Sequence, residues 1–225
     1  MSELLKLENV SFIIEEKKIL DDISLSFSRN ERTSIQGKSG SGKSTLLKIM
    51  AAIHPLSQGS IYLEGKNMRD IHYTDYRKNI SYVYQTPQLF GETVEDNLSF
   101  PSAIRDEAFD ADKARSYLDD LGLDYVSFSQ DINSLSGGEK QRVSLIRHFM
   151  YPPKMLLLDE VTASLDEESS DKIWEWILNQ ADRHDISLVW VSHKSEEQEM
   201  ATRNIVIDQG RLVENGGMHD VEYND

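Results

Sequence analysis

Two stretches of this sequence put phosphate-binding and water-activating groups in a chemically legible order. Gly37-Lys38-Ser39-Gly40-Ser41-Gly42-Lys43-Ser44-Thr45 fits the pattern G-x-x-x-x-G-K-[ST]. Its glycines let the backbone fold tightly and turn its N–H groups inward as an anion nest. A helix starting near Lys43 adds the positive end of its dipole, worth about 0.3–1 kcal/mol and up to about 2 kcal/mol when partly buried. Lys43 supplies a mobile charge for β- and γ-phosphates, and the Ser44 hydroxyl a magnesium ligand. The complementary stretch is Met155-Leu156-Leu157-Leu158-Asp159-Glu160. An apolar strand ending in a carboxylate puts Asp159 at the sheet edge where ligands bind in open α/β folds. Asp159 is expected to hold Mg²⁺ directly or through water, and Glu160 to accept a proton from an attacking water. Alone, the acidic pair would read as the end of a buried strand; beside the glycine-rich loop it reads as the metal-holding half of one site.

Leu135-Ser136-Gly137-Gly138-Glu139-Lys140-Gln141-Arg142 forms a second anion site, in which Ser136 caps, two glycines free the backbone amides and a helix begins. This segment resembles the signature motif of the ATP-binding subunits of ABC transporters, and the rest of the chain follows that family's order. Gln85, after the strand Ile80–Tyr84, is similar to the Q-loop glutamine. Ser164-Leu165-Asp166 resembles the D-loop, and His193 the switch histidine. The resemblance implies that Lys43 and Ser44 grip phosphates and Mg²⁺. It implies that Gln85 contacts the metal and the water while linking to a membrane subunit, and that His193 orients the water at the γ-phosphate. Ser136, Gly137 and Gly138 are then expected to touch the γ-phosphate held by a second copy, with Asp166 along that interface. Two ATP molecules would be sandwiched in a head-to-tail homodimer. The implied fold is that of a P-loop NTPase: a RecA-like, mainly parallel sheet core, an N-terminal antiparallel β subdomain and an inserted α-helical subdomain.

Two positions depart from the family pattern. The aromatic that stacks on adenine usually lies three residues past a serine corresponding to Ser11; here that residue is Ile14, with Phe12 two earlier. The switch histidine, often followed by an acid, is followed by Lys194. A finer resemblance lies in residues 84–101, in Arg142–Arg147 and in Val189–His193, which are very like the bacterial FetA (YbbL) subfamily. It implies an ATPase on the inner face of the cell membrane, held there by a multi-spanning FetB-like permease, in iron export and oxidative-stress resistance. The stretch 86–101, with Leu89, Phe90 and Pro101 expected at the surface, is the expected docking segment.

The elements that must position these groups follow from hydrophobic periodicity. Leu5, Leu7, Ile23, Leu25 and Phe27 alternate with polar residues, as on half-buried antiparallel strands. Residues 31–36 read as a strand feeding the glycine-rich loop, and Lys43–Ile53 as a helix with an apolar stripe of Leu46, Leu47, Ile49, Met50 and Ile53. Residues 60–63 and 80–84 read as strands. From Thr93 to Tyr117 the apolar spacing is helical, with Pro101 expected to break the run and Gly122 to end a helix. Strand 155–158, helix 169–180, strand 187–191, a short helix near 195–201 and strand 204–208 restore an α/β rhythm, which indicates a parallel, covered sheet. The expected division is a core of residues 1–85 and 151–225 around a helical insert of 86–150, with a loosely held polar end after Val213.

Composition bounds the remainder. The 225 residues suffice for a single ATP-binding domain with a sizeable interior. The net charge of −15 repels nucleic-acid backbones, and the lack of cysteine excludes disulfides, zinc ribbons and thiol nucleophiles. Met1-Ser2-Glu3 leads straight into polar alternation rather than a signal peptide, and no apolar run approaches the roughly eighteen residues of a membrane span. A membrane role is therefore expected only through a partner. The carboxylates and six histidines show no metal-ligand spacing, and His54, His72, His148, His184 and His219 read as surface or structural. Other readings are a transporter ATPase with different cargo or an importer, or a soluble ABC-class ATPase of DNA repair or chromosome organisation. The latter would need a long coiled coil between the two anion sites, where no sustained heptads occur. A translation-associated protein would need two nucleotide domains and a basic linker. A binding-only regulatory domain is disfavoured by Glu160 and His193.

Overall fold

The computed structural model describes residues 2–213; the expected loose end after Val213, and His219, lie outside them. Two sheets share the chain. One is antiparallel, in the order β2-β1-β4-β5, from β1 (Glu3–Ile14), β2 (Lys17–Ser28), β4 (Gln58–Leu63) and β5 (Lys66–Asn67). The other has the order β10-β9-β3-β8-β7-β6. In it β3 (Arg32–Gln36), β6 (Ile80–Val83), β7 (Met155–Asp159), β8 (Ser187–Val191) and β9 (Arg203–Asp208) run parallel, and β10 (Arg211–Val213) closes the edge antiparallel.

Every side chain of β7 and β8 is buried, because the sheet is covered on both faces. Met155, Leu157, Val189 and Val191 point into a core shared with the antiparallel sheet and α1 (Lys43–Met50). Leu156, Leu158, Leu188 and Trp190 point into a second core, with α5 (Gly137–Met150) and α6 (Glu167–Arg183). The alternation is the period-2 pleat of a strand, and it explains why these runs are continuously apolar rather than alternating. Between β6 and β7 the chain is helical: α3 (Val94–Ala103), α4 (Ala111–Asp120) and α5. Two short helices complete the fold, α2 (Tyr73–Asn79) before β6 and α7 (Ser195–Glu199) after β8.

Three local expectations need correction. Helix α1 stops at Met50 instead of reaching Ile53. Ala52 adopts φ 54°, and the N–H groups of Ala52 and Ile53 turn back to the carbonyls of Ile49 and Lys48 at 2.9 and 2.8 Å, a helix-ending pair of bonds that satisfies the terminal carbonyls. Pro101 does not break its helix but lies inside α3. Its fixed φ suits a helix, and what it forfeits is one hydrogen bond near the C-terminal end, where the helix finishes two residues later. Pro101 is also buried rather than exposed, Leu89 is half-buried, and only Phe90 of that trio is an exposed apolar side chain.

Candidate active site

Four neighbouring parallel strands end at one sheet edge, and each hands over a piece of the site. β3 runs into the glycine-rich turn, β8 into Ser192 and His193, β7 delivers Asp159 and Glu160, and β6 leads to Gln85. The turn is possible only with glycine at two positions. Gly37 sits at φ 140°, where a Cβ would lie 2.1 Å from the Ile207 carbonyl oxygen. Gly42 caps α1 at φ 108°, where a Cβ would come within 2.8 Å of Leu20 Cδ2.

Lys43 is buried, and its Nζ donates to the carbonyls of Gly37 at 2.8 Å and Lys38 at 3.0 Å. Burial holds its pKa below the usual lysine value, against the opposing pull of Glu160 and Asp159. Ser44 Oγ donates to Asp159 Oδ1 at 2.8 Å, so the two candidate metal ligands already touch. The other Asp159 oxygen, Oδ2, accepts the Tyr82 hydroxyl at 2.5 Å. Burial first, then the carboxylate itself, pushes the Tyr82 phenol far above its ordinary pKa, so it stays a donor.

Glu160 has the backbone of a strained residue, φ 48°. Its N–H donates to the Val191 carbonyl at 3.1 Å and its own carbonyl accepts from Ala163 N at 3.1 Å. Its carboxylate bridges two other strand ends: Oε2 accepts Gln85 Nε2 at 2.7 Å, and Oε1 lies 3.2 Å from His193 Nε2. Ser39, Gly40, Gly42, Lys43, Ser44 and Thr45 line one cleft of about 510 Å³ with Gln85, Glu160 and His193.

The donor set suits a phosphate chain with a hard divalent cation. It offers the loop's backbone amides, the Lys43 ammonium, the Ser44 hydroxyl, the Asp159 and Glu160 carboxylates and the Gln85 side-chain amide. Among the described residues no three His, Asp or Glu side chains gather at a point. A cation here would complete its shell from phosphate oxygens and water, as Mg²⁺ commonly does.

Ser136, Gly137, Gly138 and Asp166 do not line this cleft. Ser136 is exposed and caps α5 through a reciprocal pair: its N–H donates to Glu139 Oε2 at 2.6 Å, and Glu139 N donates to its Oγ at 3.3 Å. Tyr125 OH braces the other Glu139 oxygen at 2.6 Å, and this hydrogen bond leads the effects that lower the Glu139 pKa. Asp166 caps α6, accepting from Ser169 N at 2.9 Å and Ser169 Oγ at 2.8 Å. Those bonds, the backbone one first, lower its pKa.

The model of the ABC transporter family matches residues 20–163, a span holding the glycine-rich loop, Gln85, Ser136–Gly138 and Asp159-Glu160. The chain belongs to the ABC transporter family. It is similar to an Escherichia coli (strain K12) protein named "Probable iron export ATP-binding protein FetA", at 40% identity over 206 residues, 92% of this chain and 92% of that protein. It is 35% identical over 212 residues to "Lactococcin-A transport/processing ATP-binding protein LcnC" of Lactococcus lactis subsp. lactis, matching 91% of this chain but 29% of that protein. A solved structure of a bacterial Atm1-family ABC exporter with ATP bound superposes at TM-score 0.83 and 26% identity, over 95% of this chain and 38% of that one. The chain is thus an ATP-binding ABC transporter ATPase, with the α/β fold expected of one. Among its described residues no helix is long and apolar enough to cross a membrane.

Two residues that shape the site were not singled out from the sequence. Ile19, on β2, lines the phosphate cleft, and Tyr82 holds Asp159. Each looks like an ordinary apolar or aromatic strand residue in the sequence. Phe12 is 7% exposed and stacks on His54 at 5.4 Å between ring centroids, whereas Ile14 is 50% exposed. Phe12 is therefore committed to the core. His148 carries a buried Nε2 without a hydrogen-bond partner, and burial pushes its pKa down to about 3.

Proposed function

We propose that this ATPase works as a head-to-tail homodimer that drives a separate membrane permease, with iron or another metal as the exported cargo. The observation that carries the reading is the junction of Glu160 with Gln85 and His193 beside the Ser44–Asp159 pair and Lys43, all at adjacent strand ends. In this reading the N–H groups of residues 39–45 and Lys43 hold the β- and γ-phosphates. Glu160 accepts the proton of the attacking water, and His193 and Gln85 fix the carboxylate and the water in line. Ser44 and Asp159 would hold Mg²⁺, with the Gln85 amide oxygen as a further ligand; the ion would supply neutralisation of the charge on the phosphoryl oxygens. Ser136 and Gly137, exposed, and Gly138, half-buried, all away from the chain's own cleft, complete the γ-phosphate contact from the second copy, with Asp166 along the seam.

The FetA likeness supports a FetB-like permease and metal export. The docking face assigned to that permease is the groove of about 510 Å³ between α2 and α3, lined by Arg77, Lys78, Phe100, Ile104, Arg105 and Arg147 among others. Phe90, 40% exposed, packs on Phe100 at 4.8 Å beside it. Cationic groups there stand out in a chain of net charge −15 and suit a cytoplasmic permease segment with acidic and apolar side chains. Phe90→Asp should lose co-purification with the permease while nucleotide affinity stays within about twofold; an intact complex that still transports would remove this face from the docking role.

The function itself is tested by phosphate release from Mg·ATP. Glu160→Gln should turn over about 10²–10⁴-fold more slowly than wild type while still binding ATP. Turnover at the wild-type rate would take the base role away from Glu160.

A further inference from the structure

Glu197 is the one buried residue of α7, at 3% exposure, on a five-residue helix that is otherwise polar. A carboxylate is rarely enclosed unless it has partners, and here the partners come from the loops that carry the reacting groups. Its Oε1 accepts Thr162 Oγ1 at 2.6 Å and Ser170 Oγ at 3.0 Å, and lies 3.6 Å from Lys194 Nζ. Thr162 lies two residues beyond Glu160, on the segment leading to Asp166. Ser170 is in the first turn of α6, the helix that Asp166 caps. Lys194 follows His193 directly, and its Nζ also reaches Ser170 Oγ at 3.2 Å and the Thr162 carbonyl at 3.4 Å.

The histidine loop is tied to α7 from its other side too. Lys194 N donates to Ser192 Oγ at 3.0 Å, Gln198 Nε2 to the Ser192 carbonyl at 2.8 Å, and Trp190 Nε1 to the Glu197 carbonyl at 3.1 Å. Burial favours the protonated Glu197, but the hydrogen-bond donors outweigh it and lower the pKa. The ionised carboxylate is thus a fixed hub with Lys194 as its counter-charge. Glu160, two residues before Thr162, needs such support, since its φ of 48° is a costly conformation that persists only where the surroundings impose it.

We propose that Glu197 is a positioning residue for ATP hydrolysis: through Thr162, Ser170 and Lys194 it locks the His193 loop and the Glu160–Asp166 segment together, so that base, histidine and subunit-interface loop meet the γ-phosphate as one rigid unit. Glu197 touches no substrate, and the nucleotide cleft lies outside its contacts. It rests on the Glu160 and His193 roles given above. Its failure is separable from theirs, because Glu160→Gln tests the base without touching the hub.

The test compares steady-state phosphate release and ATP affinity for Glu197→Ala, Glu197→Gln and Thr162→Val in the full chain. Displacing the base and histidine by a fraction of an ångström to one ångström should lower kcat by about ten- to a hundredfold in Glu197→Ala and Thr162→Val, with the ATP Kd within about twofold. The two changes act on one link, so the double variant should be no slower than the slower single variant. Glu197→Gln keeps the Oε1 acceptor and should recover a large part of the rate. Thr162→Val preserves side-chain shape and keeps the test open should Glu197→Ala fail to fold. Wild-type kcat in Thr162→Val, independent multiplicative losses in the double variant, or a fall in ATP affinity as large as the fall in kcat would each overturn the proposal.

Discussion

At the scale of single residues, Glu160 and His148 show how environment decides what a titratable group does. Glu160 accepts a hydrogen bond from Gln85 Nε2 at 2.7 Å, and its other carboxylate oxygen lies 3.2 Å from His193 Nε2. Its conversion to glutamine keeps the side chain's size and one oxygen to accept from Gln85, and removes proton acceptance. Lys43→Ala should abolish detectable ATP binding in calorimetry, because the buried ammonium that the Gly37 and Lys38 carbonyls hold at the loop is lost; unchanged affinity would disqualify the glycine-rich loop as the phosphate site. His148 has a folded pKa of about 3, against about 6.5 for an unfolded histidine. Its neutral form is favoured by folding, so its contribution to stability is complete above about pH 6.5 and is lost as pH falls toward 3. Urea denaturation at pH 7 and pH 4.5 should show a smaller acid-dependent loss in His148→Gln than in wild type.

The same scale shows what spacing can reveal. Lys43, Ser44, Asp159, Glu160 and Ser136 were legible because their chemistry demands fixed neighbours along the chain: glycines, a helix start, an apolar strand. Gln85 and His193 carried no such local mark and were found only through resemblance to a family. Tyr82, Ile19 and Glu197 could not be found, since each acts through a residue distant in sequence and near in space.

At the scale of elements, the decisive arrangement is the parallel order β3-β8-β7-β6, which turns four scattered loops into one edge. Tyr82 on β6 reaches Asp159 on the neighbouring β7 because the two strands pair in register, with Ile80 opposite Met155 and Tyr82 opposite Leu157. Tyr82→Phe leaves the strand intact but frees Asp159 Oδ2. The Mg²⁺ concentration for half-maximal turnover should then rise about tenfold, and equilibrium dialysis of Mg²⁺ with a non-hydrolysable ATP analogue should weaken in parallel. An unchanged metal dependence would show that the phenol only fills space. Strand types and most helix spans followed from apolar periodicity, because β7 and β8 are enclosed on both faces and α1, α5 and α6 on one. The errors came where tertiary context overrode local preference. Ala52 takes a left-handed backbone and stops α1 early, and Pro101 is accommodated near the end of α3, buried against its neighbours.

At the scale of the whole molecule, the phosphate cleft and the signature-like loop belong to different surfaces of one chain. Ser136 is exposed at the start of α5, and its cap is braced by Glu139 and Tyr125. A preformed N-terminal helix end facing solvent, with two adjacent glycines, is what the proposed dimer requires of a half-site that the cleft of a second copy would complete. Ser136 belongs to the helical stretch α3–α5 between β6 and β7, whereas the phosphate cleft is built from the ends of the parallel strands.

The most direct measurement is the light-scattering mass of Glu160→Gln with Mg·ATP, with Mg·ADP, and without nucleotide. A mass twice that of the 25.8 kDa chain is expected with Mg·ATP alone, falling to the single-chain value with Mg·ADP and when Ser136→Arg is added to block the exposed loop. A single-chain mass under every condition, with ATP bound, would contradict the shared γ-phosphate grip on which the proposed mechanism depends.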